Sequence, residues 1–234
     1  MKRQLLLALT MTIGLAASPA SALVIDGFND ATMTLQATGT TNQGVGGSVV
    51  DAIGNARKLS ITNISGANSF QTAIALIDYD DSNKLSISNA DGVDSTVTVI
   101  WDGTITDPFS VVSTGLNSAD LTIDNDTGFL FTIPTIDLQV EMVLTVWDSD
   151  SSDSFEYEFP GPVDRFFIPF TAFAGVDFTD VGAIQLVLNG PVAWDGSVDL
   201  FQTGNPAPSP GTVLLLGAGL LALVRRRKRT VPHH

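Results

Sequence analysis

The chain has 234 residues, no cysteine, 44% apolar residues, 15% charged residues and a formal net charge of −14. Its low charge density argues against intrinsic disorder, and its acidic balance argues against nucleic acid as a partner, because phosphate binding needs clustered Lys and Arg. Without cysteine there is no disulfide, thiol nucleophile, zinc–thiolate site or iron–sulfur cluster.

In chain order, residues 1–22 read as a secretory signal peptide. Lys2 and Arg3 charge its start, residues 5–17 form a short apolar stretch, and Ser18-Pro19 breaks it. Ala20-Ser21-Ala22 places small residues where signal peptidase cuts, so the mature chain starts at Leu23. The alternative is a retained N-terminal anchor.

Residues 23–204 form the body. All 25 acids lie there, with only Arg57, Lys58, Lys84 and Arg165 as basic residues. Short runs rich in Val, Ile, Thr and Phe predict strands near 23–25, 58–64, 72–77, 84–87, 96–101, 121–123, 129–133, 142–147, 155–159, 165–168, 184–188 and 197–201. Asp91-Gly92, Asp102-Gly103, Asn189-Gly190 and Asp195-Gly196 are among the turn signals between them. No stretch of a dozen residues keeps a helical period. Residues 140–159 read as a hairpin whose tip, residues 148–153, is acidic. The pattern predicts an all-β antiparallel sandwich or barrel.

Residues 205–211 are a proline-rich linker. Residues 212–224, TVLLLGAGLLALV, follow without a charge. At the helical rise of about 1.5 Å per residue they cover only about 20 Å, short of the roughly 30 Å hydrocarbon core. Arg225, Arg226, Arg227, Lys228 and Arg229 then form a membrane stop at the head of a cytoplasmic tail, residues 225–234. The span suits a temporary transmembrane helix, with the body outside and the basic run inside.

This ordered tail resembles the PEP-CTERM sorting signal: a proline-flanked motif, a short Gly/Leu helix and an Arg-rich stop at the extreme C-terminus. Pro208, Pro210 and Gly211 match the family motif, and Ser209 stands where the family usually has Glu. The resemblance implies a bacterial host, and an exosortase that cuts near the motif once the exported protein is held at the membrane. The alternative is an ordinary single-span anchor.

A second resemblance covers residues 23–30 and 165–201. The opening Ile25-Asp26-Gly27-Phe28, the aromatic run RFFIPFTAF at 165–173, the apolar strand at 184–188 and the closing WDGSVDL at 194–200 resemble carbohydrate-binding-module-like, galactose-binding-type jelly rolls. The resemblance implies a β-sandwich (jelly roll). It also implies a structural calcium joining first and last strands, which would bring Asp26 and Asp199 together as ligands.

Candidate chemistry is sparse. No acidic loop fits the EF-hand pattern: counting from Asp148, position six is Asp153 where Gly is required. Sugar binding needs exposed aromatic platforms. Trp194, in a Pro/Gly loop, is the ligand-binding candidate, beside Trp101, Trp147, Tyr79 and Tyr157, and core or edge packing is the alternative for each tryptophan. The only histidines, His233 and His234, lie beyond the basic stop, so the body has no Ser-His-Asp arrangement. The expectation is an exported, exosortase-sorted, non-enzymatic protein of the cell surface or exopolysaccharide matrix. The alternative is a carbohydrate-binding module, and a glycan hydrolase working through two carboxylates is a further one.

Overall fold

The computed structural model describes residues 22–30 and 32–206. The signal-peptide segment before Ala22, the motif Pro208-Ser209-Pro210-Gly211, the apolar segment 212–224 and the basic run Arg225 to Arg229 lie outside the described residues. Among the described residues no helix is long and apolar enough to cross a membrane.

The chain opens with β1 (Val24–Asp26), β2 (Met33–Ala37), β3 (Gln43–Ser48), β4 (Ala56–Ser65), β5 (Ala73–Ile77), β6 (Leu85–Asn89) and β7 (Asp94–Trp101). A long connection, residues 102–127, leads to β8 (Gly128–Ile133) and β9 (Thr135–Ile136). Then come β10 (Val140–Asp148), β11 (Ser152–Phe159), β12 (Val163–Pro169), β13 (Val181–Asn189), β14 (Asp195–Val198) and β15 (Phe201–Gly204).

Six strands form one sheet in the order β11-β10-β13-β7-β4-β3. A four-stranded sheet, β1-β15-β8-β12, and a five-stranded one, β2-β5-β6-β14-β9, pack across a common core from it. Every pairing is antiparallel. The protein is an all-β antiparallel sandwich.

Period-two alternation explains which face each strand buries. In β10, Val140, Met142, Leu144 and Val146 are buried, while Glu141, Val143, Thr145 and Trp147 face the other way. The inward set continues with Ile184, Leu186 and Leu188 on β13, Val97, Val99 and Trp101 on β7, and Leu59 and Ile61 on β4. Each such aliphatic side chain contributes about 1.5–3 kcal/mol by leaving water. The opposing sheets supply aromatic rings: Phe131 stacks on Phe201 at 4.2 Å, and Phe201 meets Trp101 at 5.2 Å.

Three predictions change in detail. Residues 121–123 form a turn, because Thr122 N–H and hydroxyl both donate to Asp120 Oδ1. The stretch 197–201 is divided between β14 and β15. Three strands, β2, the glycine-rich β3 and the two-residue β9, were not anticipated.

The topology also places the two ends of the sandwich's described chain. Gly204 pairs with Gly128 and Gly128 with Pro169, at the far end of β12 from Val163. Leu23 joins the same end, its O accepting from Thr203 N–H at 2.8 Å. Asn189 and the start of β10 lie at the opposite end of the sandwich.

Candidate functional site

One face of the six-stranded sheet packs on the core. The other carries the outward half of each alternation. Cross-strand register lines these side chains into rows perpendicular to the strands. The first row reads Glu158, Glu141, Asn189, Thr96 and Thr62, direct partners across β11, β10, β13, β7 and β4. The second reads Glu156, Val143, Val187, Thr98 and Ser60.

The middle of the first row is hydrogen-bonded, with Asn63 beside it. Asn189 Nδ2 donates to Glu141 Oε2 at 3.4 Å, Thr96 Oγ1 donates to Asn189 Oδ1 at 3.4 Å, and Asn63 Nδ2 donates to Thr96 Oγ1 at 3.2 Å. Like charges directly opposite on neighbouring strands are unfavourable, yet Glu141 and Glu158 are such a pair. The chain's three glutamates, Glu141, Glu156 and Glu158, all line one open groove of about 680 Å³ with Gln139, Asn189 and Pro191. No lysine or arginine lines it. Val143 and Val187, both half-buried, give the second row an apolar floor.

A strap, residues 102–119, covers the rest of this face on the β3–β4 side. It is pinned from below by Lys58, which points outward from β4 and is fully buried. Lys58 Nζ donates to Asp102 Oδ2 at 2.7 Å and to Ser110 O at 3.0 Å. Asp102 also accepts from Val112 N–H at 2.8 Å and Thr104 N–H at 3.0 Å. Leu116 N–H donates to Gly182 O at 2.8 Å at the strap's far end. Close approach explains β3's glycines: a Cβ at Gly46 would run into Ile105 O, and one at Gly44 would sit 2.5 Å from Pro108 Cγ.

Of the residues singled out from the sequence, Trp194 needs correction. It is 1% exposed, and its ring packs among Gly190, Ile87, Ile133, Val140 and Leu188. Its loop folds inward because Ala193 N–H donates to Val93 O and Asn89 N–H to Trp194 O. It therefore offers no face to a ligand. Trp101 is likewise fully buried, while Trp147 stands half-buried on the outward face of β10. Tyr157 is 38% exposed at the β11 edge, with its ring 4.5 Å from Phe166.

Asp26 lies on β1, beside β15 as the first-to-last-strand expectation requires. The cation against it is the guanidinium of Arg57. Asp26 Oδ1 accepts from Arg57 Nη1 at 2.6 Å and Phe28 N–H at 2.8 Å, and Oδ2 accepts from Trp101 Nε1 at 2.7 Å. Burial lifts the Asp26 carboxyl above its usual range, against the pull of Arg57 and the two other donors. Asp199 sits just ahead of β15, its N–H on Thr132 O. Among the described residues no group of three or more carboxylate or imidazole side chains forms a metal site. The acidic tip at 148–153 is explained locally: Asp148 accepts from Asp150 N–H, Ser151 N–H and Asp177 N–H, which hold its carboxyl down at about 2, Asp177 contributing most.

Sequence reasoning missed the outward rows, since even directly bonded members such as Thr96 and Asn189 lie 93 residues apart in the chain. It also missed Phe109, which sits in a stretch without strand or motif character.

No family model matches the chain, and no curated protein matches it. Its structural neighbours include carbohydrate-binding modules with a β-sandwich fold. One is a family 11 carbohydrate-binding module from Clostridium thermocellum, in complex with a β-1,3-1,4-mixed-linked tetrasaccharide. It is 10% identical, with a TM-score of 0.37 over 79% of this chain and 95% of that one. The solution structure of CtCBM11 is 11% identical, with a TM-score of 0.42 over 82% of this chain and 99% of that one. An agarase is 13% identical, with a TM-score of 0.35 over 65% of this chain and 23% of that one. Likeness at these scores carries no functional argument.

Proposed function

We propose that this chain is an exported, non-catalytic binding protein that holds a neutral polysaccharide on the open face of its six-stranded sheet. The observation that carries this reading is the polar row Glu158–Glu141–Asn189–Thr96–Thr62, aligned across five strands. Sugar hydroxyls donate and accept. Carboxylates accept, an amide does both, and threonine hydroxyls do both. Val143 and Val187 beside the row suit the C–H face of a sugar ring. The groove is shallow and open, which suits a chain laid along it better than a small molecule that must be enclosed. Neither row holds a basic side chain, and Lys58, the next outward residue along β4, is buried under the strap. Acidic groups without an accessible cation disfavour uronate or sulfated polymers.

The sorting part of the reading rests on the tail. Pro208-Ser209-Pro210-Gly211, the apolar segment 212–224 and the run from Arg225 to Arg229 support transient membrane anchoring and exosortase processing. Export then places the body at the cell surface or in the exopolysaccharide matrix. The topology is compatible, because the chain leaves the sandwich at Gly204, at the end remote from the groove.

Affinity electrophoresis of the full chain through gels containing mixed-linked β-glucan, agarose or a polyuronate tests the binding claim. The expected result is retardation by a neutral polymer and none by the polyuronate. Passage through every gel without retardation, or shortening of the polymer by the protein, overturns it. Intact mass of the protein recovered from envelope and medium tests sorting. Loss of residues after about Pro210 is expected, and a full tail through His234 in the membrane fraction overturns it.

A further inference from the structure

Phe109 is exposed to 49% although nothing about its backbone demands an aromatic ring there. The strap around it is fixed by polar contacts that do not use the ring: Lys58 to Asp102 and Ser110, Ser110 Oγ to Asp107 Oδ2 at 2.8 Å, and Phe109 N–H to Asp107 Oδ1 at 3.2 Å. The ring reaches back over β3, where a Cβ at Gly44 would lie 2.9 Å from Phe109 Cζ. Gly44 pairs with Ser60, and Ser60 with Thr98, so the ring stands at the β3 end of the second row. The groove with Glu156 stands at its β11 end.

From this placement we propose that Phe109 is a ligand-contacting residue, the far end of a binding track that leaves the glutamate groove over β10, β13 and β7 and ends on the strap, which carries the ring above β3 where Ser60 of β4 is already buried. Resting on the polysaccharide reading above, this makes the ligand an extended stretch of polymer rather than a chain end or a short sugar. Five interstrand spacings of about 4.8 Å give a track of about 24 Å. Its ends differ in chemistry: carboxylates and an amide at β11–β13, an aromatic ring for a sugar's apolar face at β3. The rigid strap pre-sets the ring, so little ordering entropy is lost when the chain settles against it.

Isothermal titration of the full chain with a soluble neutral β-glucan, and with its trisaccharide, tests the track. Phe109→Ala is expected to weaken polymer binding about tenfold and to leave trisaccharide binding in the groove unchanged, which also shows that the variant is folded. Glu141→Gln is expected to weaken both. If the wild type and Glu141→Gln behave so while Phe109→Ala binds polymer like the wild type, the track fails and the polysaccharide reading stands. If Phe109→Ala weakens both ligands equally, the ring is not a distal contact and the track also fails. If the wild type binds neither ligand, both fail together.

Discussion

Arg57 and Lys58 are neighbours on β4, yet they close two fully buried ion pairs on opposite faces of the sheet, with Asp26 at 2.6 Å and Asp102 at 2.7 Å. One residue locks the first strand into the core. The next locks the strap over the outside. The consequences of breaking the two should differ in kind.

Asp26→Asn removes the carboxylate charge that Arg57 Nη1 meets in the core. Removing one partner of a buried pair costs about 3–5 kcal/mol. Urea denaturation should show that loss as a lower midpoint with an unchanged slope. Because Trp101 Nε1 donates to the same carboxylate, its fluorescence should follow the same single transition. A loss under 1 kcal/mol would contradict the anchoring role.

Lys58→Met acts locally. It frees the strap from below and strands Asp102. Limited proteolysis should then cut within residues 103–118 before the sandwich unfolds, and polymer binding should fall toward the level of Phe109→Ala. Resistance of the strap equal to that of the wild type would show that the backbone bonds of Leu116 to Gly182 and of Ala119 to Val181 hold it without Lys58.

Asn189 is the central member of the polar row. Asn189→Ala removes an amide that bridges Glu141 and Thr96, and should weaken polysaccharide binding about tenfold, the equivalent of one hydrogen bond. Thermal stability should change little, since the side chain is exposed. Calorimetric titration beside a melting curve separates the two effects.

Trp194→Ala should behave as a core truncation. A buried tryptophan lost to alanine costs about 3–5 kcal/mol. Any loss of binding in this variant should track its unfolded fraction. Full stability with abolished binding would instead return Trp194 to the role the sequence suggested.

Asp148 carries a pH signature. Its carboxyl is depressed to about 2 by backbone donors, against an unfolded value of about 3.9. A depressed carboxyl contributes its stability above the unfolded value and loses it as pH falls through the folded one. The difference in Tm between wild type and Asp148→Asn should therefore be constant at neutral pH and close between about pH 4 and pH 2. A difference that persists unchanged at pH 2 would mean the charge is irrelevant.

Much of the fold was legible because alternation is a local signal. In β10, Val140, Met142, Leu144 and Val146, and in β11, Phe155, Tyr157 and Phe159, recur at every second position, and the acidic run between them holds the turn. β3 was illegible because Gly44 and Gly46 lower strand propensity, and their reason, the strap, lies some 60 residues away in the chain. Trp194 misled for a related cause: Pro191 and Gly196 mark a loop, but they do not say whether the loop folds out or in. The site was hidden because register between strands is not written in either strand alone.

The pairing of β1 with β15 joins residues 180 positions apart, as Leu23 N–H donates to Thr203 Oγ1. At about 5–20 residues per second of synthesis, the first strand of the body waits roughly ten to forty seconds for its last one to appear. Until then β8 lacks its neighbour β15, and Asp26 is made long before the edge it will join. Productive folding is thus a late, long-range closure, slow on topological grounds. A nascent chain that stalls before residue 201 exposes a bare apolar strand edge, which makes the final four-residue strand the step at which folding and aggregation part ways.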